Sequence, residues 1–357
     1  MTIVPTMTVS ISTQKDRLRG MLWGVALGDS LGAPYEFRYG KIPYSIALQP
    51  GQSDYITDDT EMTMALAQCL IEQNGKYHPD KAVLSYIQWV GSNPIDVGNN
   101  TKTLFRHPLT LDNAHALKKY RAVHNELVKE PLDRQSQSNG HLMRASPLGI
   151  LFVTHPESVN PFGEKWWLLD TQLSNFHPTC VAAADVYFRM IFNILHNRTN
   201  IDPAHVDWST NEHVRQAIAD AKNVKDMKQA GSRRVNSKRG WTCHALYFAV
   251  VAYSYPFKTF TEGMNFIIGQ HLDSDTDTNG AIAGAILGLR FGYTKLLEDN
   301  TTAENIRLIR NTQGTFPSIA GVRRRPNNDP LSGGKGTRPQ VYHPGRIDEI
   351  IDTLISS

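Results

Sequence analysis

Residues 19–37 read RGMLWGVALGDSLGAPYEF and residues 275–292 read DTDTNGAIAGAILGLRFG. Gly20, Gly24, Gly28 and Gly32 recur every four residues in the first stretch, and Gly280, Gly284, Gly288 and Gly292 do so in the second. A glycine inside a helix costs about 1 kcal/mol relative to alanine, so two such ladders need a compensating gain. Close approach of two helix backbones supplies it. The same spacing pairs helices in membranes, but Asp29 and Arg290 interrupt these stretches. The longest apolar runs, at 245–253 and 281–289, also fall short of the about 20 residues that span a bilayer. The ladders therefore predict two helices packed tightly inside a water-soluble bundle.

Outward from them, apolar residues recur at three and four positions in 61–72, 80–90, 179–195 and 243–253, which is helical spacing. Strand signals are scarce, and Gly, Pro, Asn and Ser clusters mark loops at 91–101, 130–149 and 326–345. The fold class expected is all-α, a compact orthogonal helical bundle. No composition shift divides the chain, so residues 15–357 read as one domain preceded by a flexible extension, 1–14. Of 357 residues, 40% are hydrophobic, which excludes wholesale disorder, and the formal charge of +3 is too small to make a nucleic-acid or acidic-membrane binder by electrostatics alone. Cys69, Cys180 and Cys243 lie far apart with no CxxC pair, which suggests neither a disulfide framework nor structural zinc. With no secretory pattern in MTIVPTMTVSISTQ, a cytoplasmic protein is expected, and a monomer is favoured.

Acids gather where two helices begin. Thr57-Asp58-Asp59-Thr60 precedes the helix at 61–72, and Asp275-Thr276-Asp277-Thr278 precedes the second ladder. Helix capping accounts for one acid per helix, with Asp58 as N-cap and Glu61 completing a capping box. It does not account for adjacent, mutually repelling carboxylates at both places. Cations held between the clusters do, and a donor set of carboxylate and hydroxyl oxygens suits Mg²⁺ or Mn²⁺. An EF-hand is excluded, because the position that should bear the closing glutamate is Ile286.

The segments at 19–37, TDDTEM (57–62), NPIDVGNNT (93–101), SNGHLMRASPLG (138–149), FHPTC (176–180) and DTDTNGAIAGAILG (275–288) resemble, in this order, the motifs of the ADP-ribosylglycohydrolase family. The Pro-x-Asp-x-Gly loop is similar to that of the branch containing dinitrogenase reductase-activating glycohydrolase, which releases ADP-ribose from arginine. The resemblance implies two divalent cations, Mg²⁺ or Mn²⁺, in a central cleft that takes the ADP-ribose moiety of a modified protein or small molecule. It places the metal ligands at Thr57, Asp58, Asp59, Asp275, Asp277 and Thr278. It places substrate contacts at Gly98, Asn99, Ser138, Asn139, Gly140, His141, Met143, Arg144 and His177, and Trp241, following Gly240, is a further candidate as a ring that could stack on a base or ribose. The catalytic acids are then Asp96, Glu36 and Asp59, with Asp96 or Glu36 moving the proton. On spacing alone Asp96 is equally an Asx-turn residue before Gly98, Trp241 a core side chain, and His177 a helix-entry cap.

Asp273-Ser274 replaces the Gly-Gly pair usual before the second acid motif, which makes Asp273 a possible further ligand, and 106–136 matches no motif. Other ADP-ribose linkages, serine-linked or O-acetylated, and a catalytically silent ADP-ribose binder are the alternatives within the family. A rival enzyme class is also written here: GDSLG at 28–32 matches the block of GDSL-type serine esterases, with Asp112/His115 and Asp202/His205 as DxxH pairs. A nucleophile elbow must follow a strand, and this one lies in a helical glycine period. SGGKGT at 332–337 lacks the spacing of a P-loop.

Overall fold

The computed structural model describes residues 9–37, 46–47, 55–94, 96–108, 110–155, 165–197, 209–224, 238–269, 274–311 and 338–355. Within them the chain is helical and contains no strand, only an isolated bridge between Ser138 and Trp241. In order the helices are α1 (Ile11–Gly32), α2 (Asp58–Glu72), α3 (Pro79–Gly91), α4 (Asn99–Phe105), α5 (Asn113–Val128) and α6 (Gly140–Ala145). There follow α7 (Leu151–Thr154), α8 (Trp166–Gln172), α9 (Pro178–Leu195), α10 (Glu212–Lys222) and α11 (Thr242–Ser254). The last are α12 (Phe260–Gly269), α13 (Thr276–Phe291), α14 (Tyr293–Glu298), α15 (Asn300–Asn311) and α16 (Ile347–Leu354). None of the described helices is long and apolar enough to cross a membrane.

Helix α1 starts at Ile11, with the Ser10 hydroxyl accepting from the Thr13 N–H, so residues 11–14 belong to the helix and not to an extension. From Gly20 to Gly32 every residue of α1 is buried, as is every residue of α13 from Thr276 to Leu289 and of α11 from Thr242 to Ala252. A helix apolar on all sides has no solvent face and must sit at the centre of its bundle. α1 and α13 lie against each other along their glycines. A methyl carbon on Gly24 would be driven into the Gly284 carbonyl, one on Gly28 into that of Gly280, and one on Gly20 into that of Gly288. Low residue numbers of α1 thus meet high numbers of α13, so the pair is antiparallel and the end of α1 meets the start of α13. The Thr276 hydroxyl closes that end by donating to the Gly32 carbonyl over 2.9 Å.

The far end of the chain returns to this centre. Arg19 on α1 pairs with Asp348 and Asp352 of α16, and Arg346 donates to Gln68 of α2. Asp273, the Asp202/His205 pair, residues 231–237 of the basic segment and the glycine-rich 332–337 stretch lie outside the described residues.

Candidate active site

The glycine register decides what meets at the centre. Asp29 lies in the last turn of α1, next to the first turn of α13, and it is completely buried. Its carboxylate accepts the Thr57 N–H at 3.0 Å, the Thr57 hydroxyl at 2.8 Å, the Thr60 N–H at 3.1 Å and the Thr60 hydroxyl at 2.5 Å. These are donors at the start of α2. An acid from another helix therefore supplies the N-terminal cap, a role expected of Asp58. Thr57 is the N-cap residue, Asp58 and Asp59 form the first helical turn, and no capping box closes on Glu61. Glu61 turns instead to the Trp89 ring N–H and to Arg338.

With the cap supplied by Asp29, the acids of the two clusters are free to face one another. Single carboxylate oxygens of Asp29, Asp59 and Asp277 all lie within 4.8 Å of each other, and so do those of Glu36, Asp275 and Asp277. Asp277 belongs to both groups. Asp59 Oδ1 is buried with no hydrogen-bond partner, while Oδ2 lies 3.1 Å from the Thr57 hydroxyl and 3.4 Å from that of Thr278. Asp275 Oδ2 accepts from the Asn139 side chain at 2.8 Å. The turn that brings in Glu36 ends at Phe37, which has φ 49° and whose N–H donates to the Ser274 carbonyl at 2.9 Å. The Ser274 backbone thus holds this turn beside the start of α13, a bond that does not depend on the side chain at that position.

The electrostatics of the site are those of carboxylates lacking counter-charge. Burial, and then the neighbouring Asp275, Asp96 and Asp29, push Glu36 up to about 8. Burial pushes Asp29 up to about 6, against the lowering effect of its bonds from Thr60 and Thr57. Asp58, Asp59 and Asp277 are driven well above the usual carboxylate range, first by burial and then by neighbouring acids, Asp96 and Glu36 acting on Asp58, Asp29 and Asp58 on Asp59, and Glu36 and Asp275 on Asp277, while Asp275 is raised by burial against its bond from Asn139. Among the described residues, no ion pair joins any of these acids to a lysine or arginine. Buried carboxylates lacking both a base and a proton are stable only with a cation.

The sequence-predicted positions divide into three groups. Asp59, Asp275, Asp277 and Glu36 come together, with the Thr57 and Thr278 hydroxyls bonded to Asp59. Asp58 and Asp96 stand close enough to repel one another and Glu36, and Asp96 also accepts the N–H of the adjacent Val97 at 2.8 Å, a bond to the next residue and not the bond two residues on that makes an Asx-turn. Gly98 and Asn99 are exposed at the start of α4. The neighbouring Asn100 bonds the Ser174 carbonyl, and Asn175 bonds the Ser138 carbonyl and hydroxyl, so this loop is tied to the SNG segment. Ser138 and Gly140 are half-buried, and Asn139 orients Asp275 while its N–H donates to the Gly240 carbonyl.

Other expected substrate contacts point elsewhere. The Met143 side chain is buried in the core, and its carbonyl accepts from Thr63. Arg144 is fully buried. Its Nε donates to Asp170 at 3.1 Å, and its guanidinium lies 4.5 Å from the Tyr86 ring centroid. Its charge is neutralised inside the bundle and does not face a ligand, because Asp170 would otherwise be a lone buried anion. His141 is also fully buried, and burial pushes its imidazole down to about 3, so it stays neutral. His177 caps α9 by accepting the Thr179 N–H. Trp241 is half-buried, edge-on to His213 and His244, and its ring N–H donates to Gln137.

The sequence reading missed two residues. Asp29 reads in the sequence as an interruption of the apolar ladder and a member of the GDSLG block, although an acid in a glycine-laddered apolar helix with no base three or four positions away is itself a signal. Gly240 was the other: a methyl carbon there would stand 3.1 Å from Asp275 Oδ2. Ser30 lies buried inside α1, with no strand before it, so it cannot be the exposed nucleophile of an esterase elbow. Asp112 and His115 form a surface cap at the start of α5.

The sequence profile of the ADP-ribosylglycohydrolase family matches residues 10–311. The ADP-ribosyl-dinitrogen reductase glycohydrolase of Rhodospirillum rubrum is 26% identical over 299 residues, covering 78% of this chain and 86% of its own. A protein of Acanthamoeba polyphaga mimivirus, named as an ADP-ribosyl glycohydrolase, is 26% identical over 312 residues, covering 78% of this chain and 88% of its own. A solved structure titled an ADP-ribosylglycohydrolase-related protein complex superposes with a TM-score of 0.59 at 20% identity, over 83% of this chain and 98% of that one.

Proposed function

Because the chain belongs to the ADP-ribosylglycohydrolase family, we propose that it is a metal-dependent glycosidase that frees ADP-ribose from modified protein arginine. The observation that carries this reading is the pair of three-carboxylate groups sharing Asp277. The residues fit a pair of hard divalent cations. All donors are oxygens, Asp59 Oδ1 is buried and unpartnered, and among the described residues no lysine or arginine pairs with the surrounding acids. Asp29, Asp59 and Asp277 would hold one Mg²⁺ or Mn²⁺, and Glu36, Asp275 and Asp277 the other. Bound cations would supply charge neutralisation, orientation of ribose hydroxyls and polarisation of water.

The chain's own residues do the rest. Breaking an N-glycosidic bond passes through an oxocarbenium-like state and needs a proton delivered to the leaving guanidine. Asp96 and Asp58 both stand beside Glu36 outside the three-carboxylate groups, and of the two Asp96, which lies in the Pro-x-Asp-x-Gly loop and not in the first turn of α2, is assigned to move that proton. Asn139 holds Asp275 in place, and the Ser138 to Gly140 segment, tied to 240–242 by backbone bonds, offers main chain to the diphosphate. The arginine linkage is favoured over serine-linked or O-acetylated ADP-ribose by the resemblance of the Pro-x-Asp-x-Gly loop at 94–98 to the branch that releases ADP-ribose from arginine, a branch whose name the R. rubrum relative shares. Incubation with arginine-linked, serine-linked and O-acetylated ADP-ribose, each with and without EDTA, tests the proposal. Release from arginine alone, abolished by EDTA, is expected. Release that EDTA leaves unchanged refutes the metal, and a preference for serine refutes the linkage.

A further inference from the structure

Arg338 lies beyond residue 311, where the family match ends, yet it is only 8% exposed and reaches the base of the acid cluster. Its Nε stands 2.7 Å from Glu61 Oε1 and its Nη2 2.6 Å from Glu61 Oε2, a two-point grip on one carboxylate. The same guanidinium donates from Nη1 to the Ser92 carbonyl at 2.6 Å and from Nη2 to the Ser92 hydroxyl at 2.9 Å. Glu61 is held from a third side by the Trp89 ring N–H at 2.8 Å.

The two residues that Arg338 joins stand at consequential places. Glu61 belongs to the first turn of α2, and its N–H donates to the Thr57 carbonyl at 3.2 Å. That turn carries Asp58 and Asp59. Ser92 is where α3 ends and the chain enters the segment bearing Asp96. One cation therefore links the turn with the metal-facing acids to the segment with the candidate proton carrier. It also cancels the charge of Glu61, a buried acid one turn from Asp58 that would otherwise add repulsion to a set of carboxylates with no lysine or arginine partner among the described residues.

We infer that Arg338 is a positioning residue for the metal site: by fixing the first turn of α2 against the Asp96 segment it sets the affinity for divalent cations. The inference rests on the metal reading given under Proposed function. It makes the C-terminal segment, which the family profile does not cover, a working part of the site.

The test is Mn²⁺ titration of the full chain, following the electron paramagnetic resonance signal of free Mn²⁺, with thermal melting as a check on folding. The proteins compared are the wild type, Arg338→Lys, Arg338→Met and the double variant Glu61→Gln/Arg338→Met. The double variant leaves no unpaired buried charge, so it keeps the fold even if Arg338→Met does not. It should bind Mn²⁺ at least tenfold more weakly than the wild type, and Arg338→Lys, which restores charge without the two-point grip, should recover part of the loss. A folded double variant with Mn²⁺ affinity within twofold of the wild type overturns the inference and leaves the metal reading standing. A wild-type protein that takes up no Mn²⁺ overturns both.

Discussion

Substituting Asp29 separates its two roles, capping α2 and facing a cation. Its carboxylate accepts four hydrogen bonds from Thr57 and Thr60, and burial still pushes it up to about 6 from 3.8. Keeping it ionised at pH 8 without metal costs about 3 kcal/mol. Asp29→Asn removes that cost but turns an NH₂ group toward the donors, forfeiting about two hydrogen bonds at about 1–1.5 kcal/mol each. The two effects nearly cancel. At about 2.1 cal/mol/K of unfolding entropy per residue, the metal-free variant should melt within about 2 °C of the wild type at pH 8. The sign of the pH dependence follows from the raised folded-state value. The wild-type carboxyl's contribution is complete below 3.8 and is lost as pH rises through about 6, so at pH 5 the variant falls below the wild type. With Mn²⁺ at a hundred times its Kd the wild type gains about 2.7 kcal/mol, or about 4 °C for a chain of this length. The variant should lose most of that gain. Differential scanning calorimetry with and without Mn²⁺ reads both quantities, and an undiminished metal-induced shift in Asp29→Asn would remove Asp29 from the site.

Four other substitutions probe the remaining structure. Asp277→Ala, which removes the carboxylate common to both groups, should fold and lose at least about a hundredfold in release of arginine-linked ADP-ribose; unchanged turnover contradicts the shared-ligand arrangement. Gly284→Ala drives a methyl into the Gly24 carbonyl and should cost about 2 kcal/mol in a urea melt, net of the better helix propensity of alanine. Gly98→Ala, where the new carbon would stand 3.9 Å from the Thr101 hydroxyl oxygen, is the control and should stay within about 0.5 kcal/mol. Arg144→Met strands the buried Asp170 and should destabilise the fold by about 3–5 kcal/mol. A melt like the wild type's with selectively lost hydrolysis would return Arg144 to the substrate.

What the sequence revealed and what it concealed differ in the range over which the deciding contact acts. The glycine ladders were legible because their penalty is local and their period fixed, and the pairing of Gly24 with Gly284 and Gly28 with Gly280 answers them directly. The acid clusters were legible as a donor type, since carboxylates crowded at a helix start conflict with one another wherever the chain goes. The partner of each polar group was not legible. Local rules gave Asp58 and Glu61 to a capping box, but Asp29, 31 residues before Thr60, caps that helix, and Arg338, 277 residues after Glu61, takes the glutamate. Arg144 read as part of a polar ligand motif because its counter-ion, Asp170, sits in an unrelated apolar stretch, WWLLDTQ. The same displacement opens the site. A helix start needs its N–H groups satisfied, and had Asp58 or Asp59 done so from within α2, their oxygens would be bound to backbone and unavailable to a cation. By supplying the cap from α1, the glycine register that fixes the fold also leaves Asp59 Oδ1 unpartnered, so tight packing of two backbones and an acid free for metal follow from one arrangement.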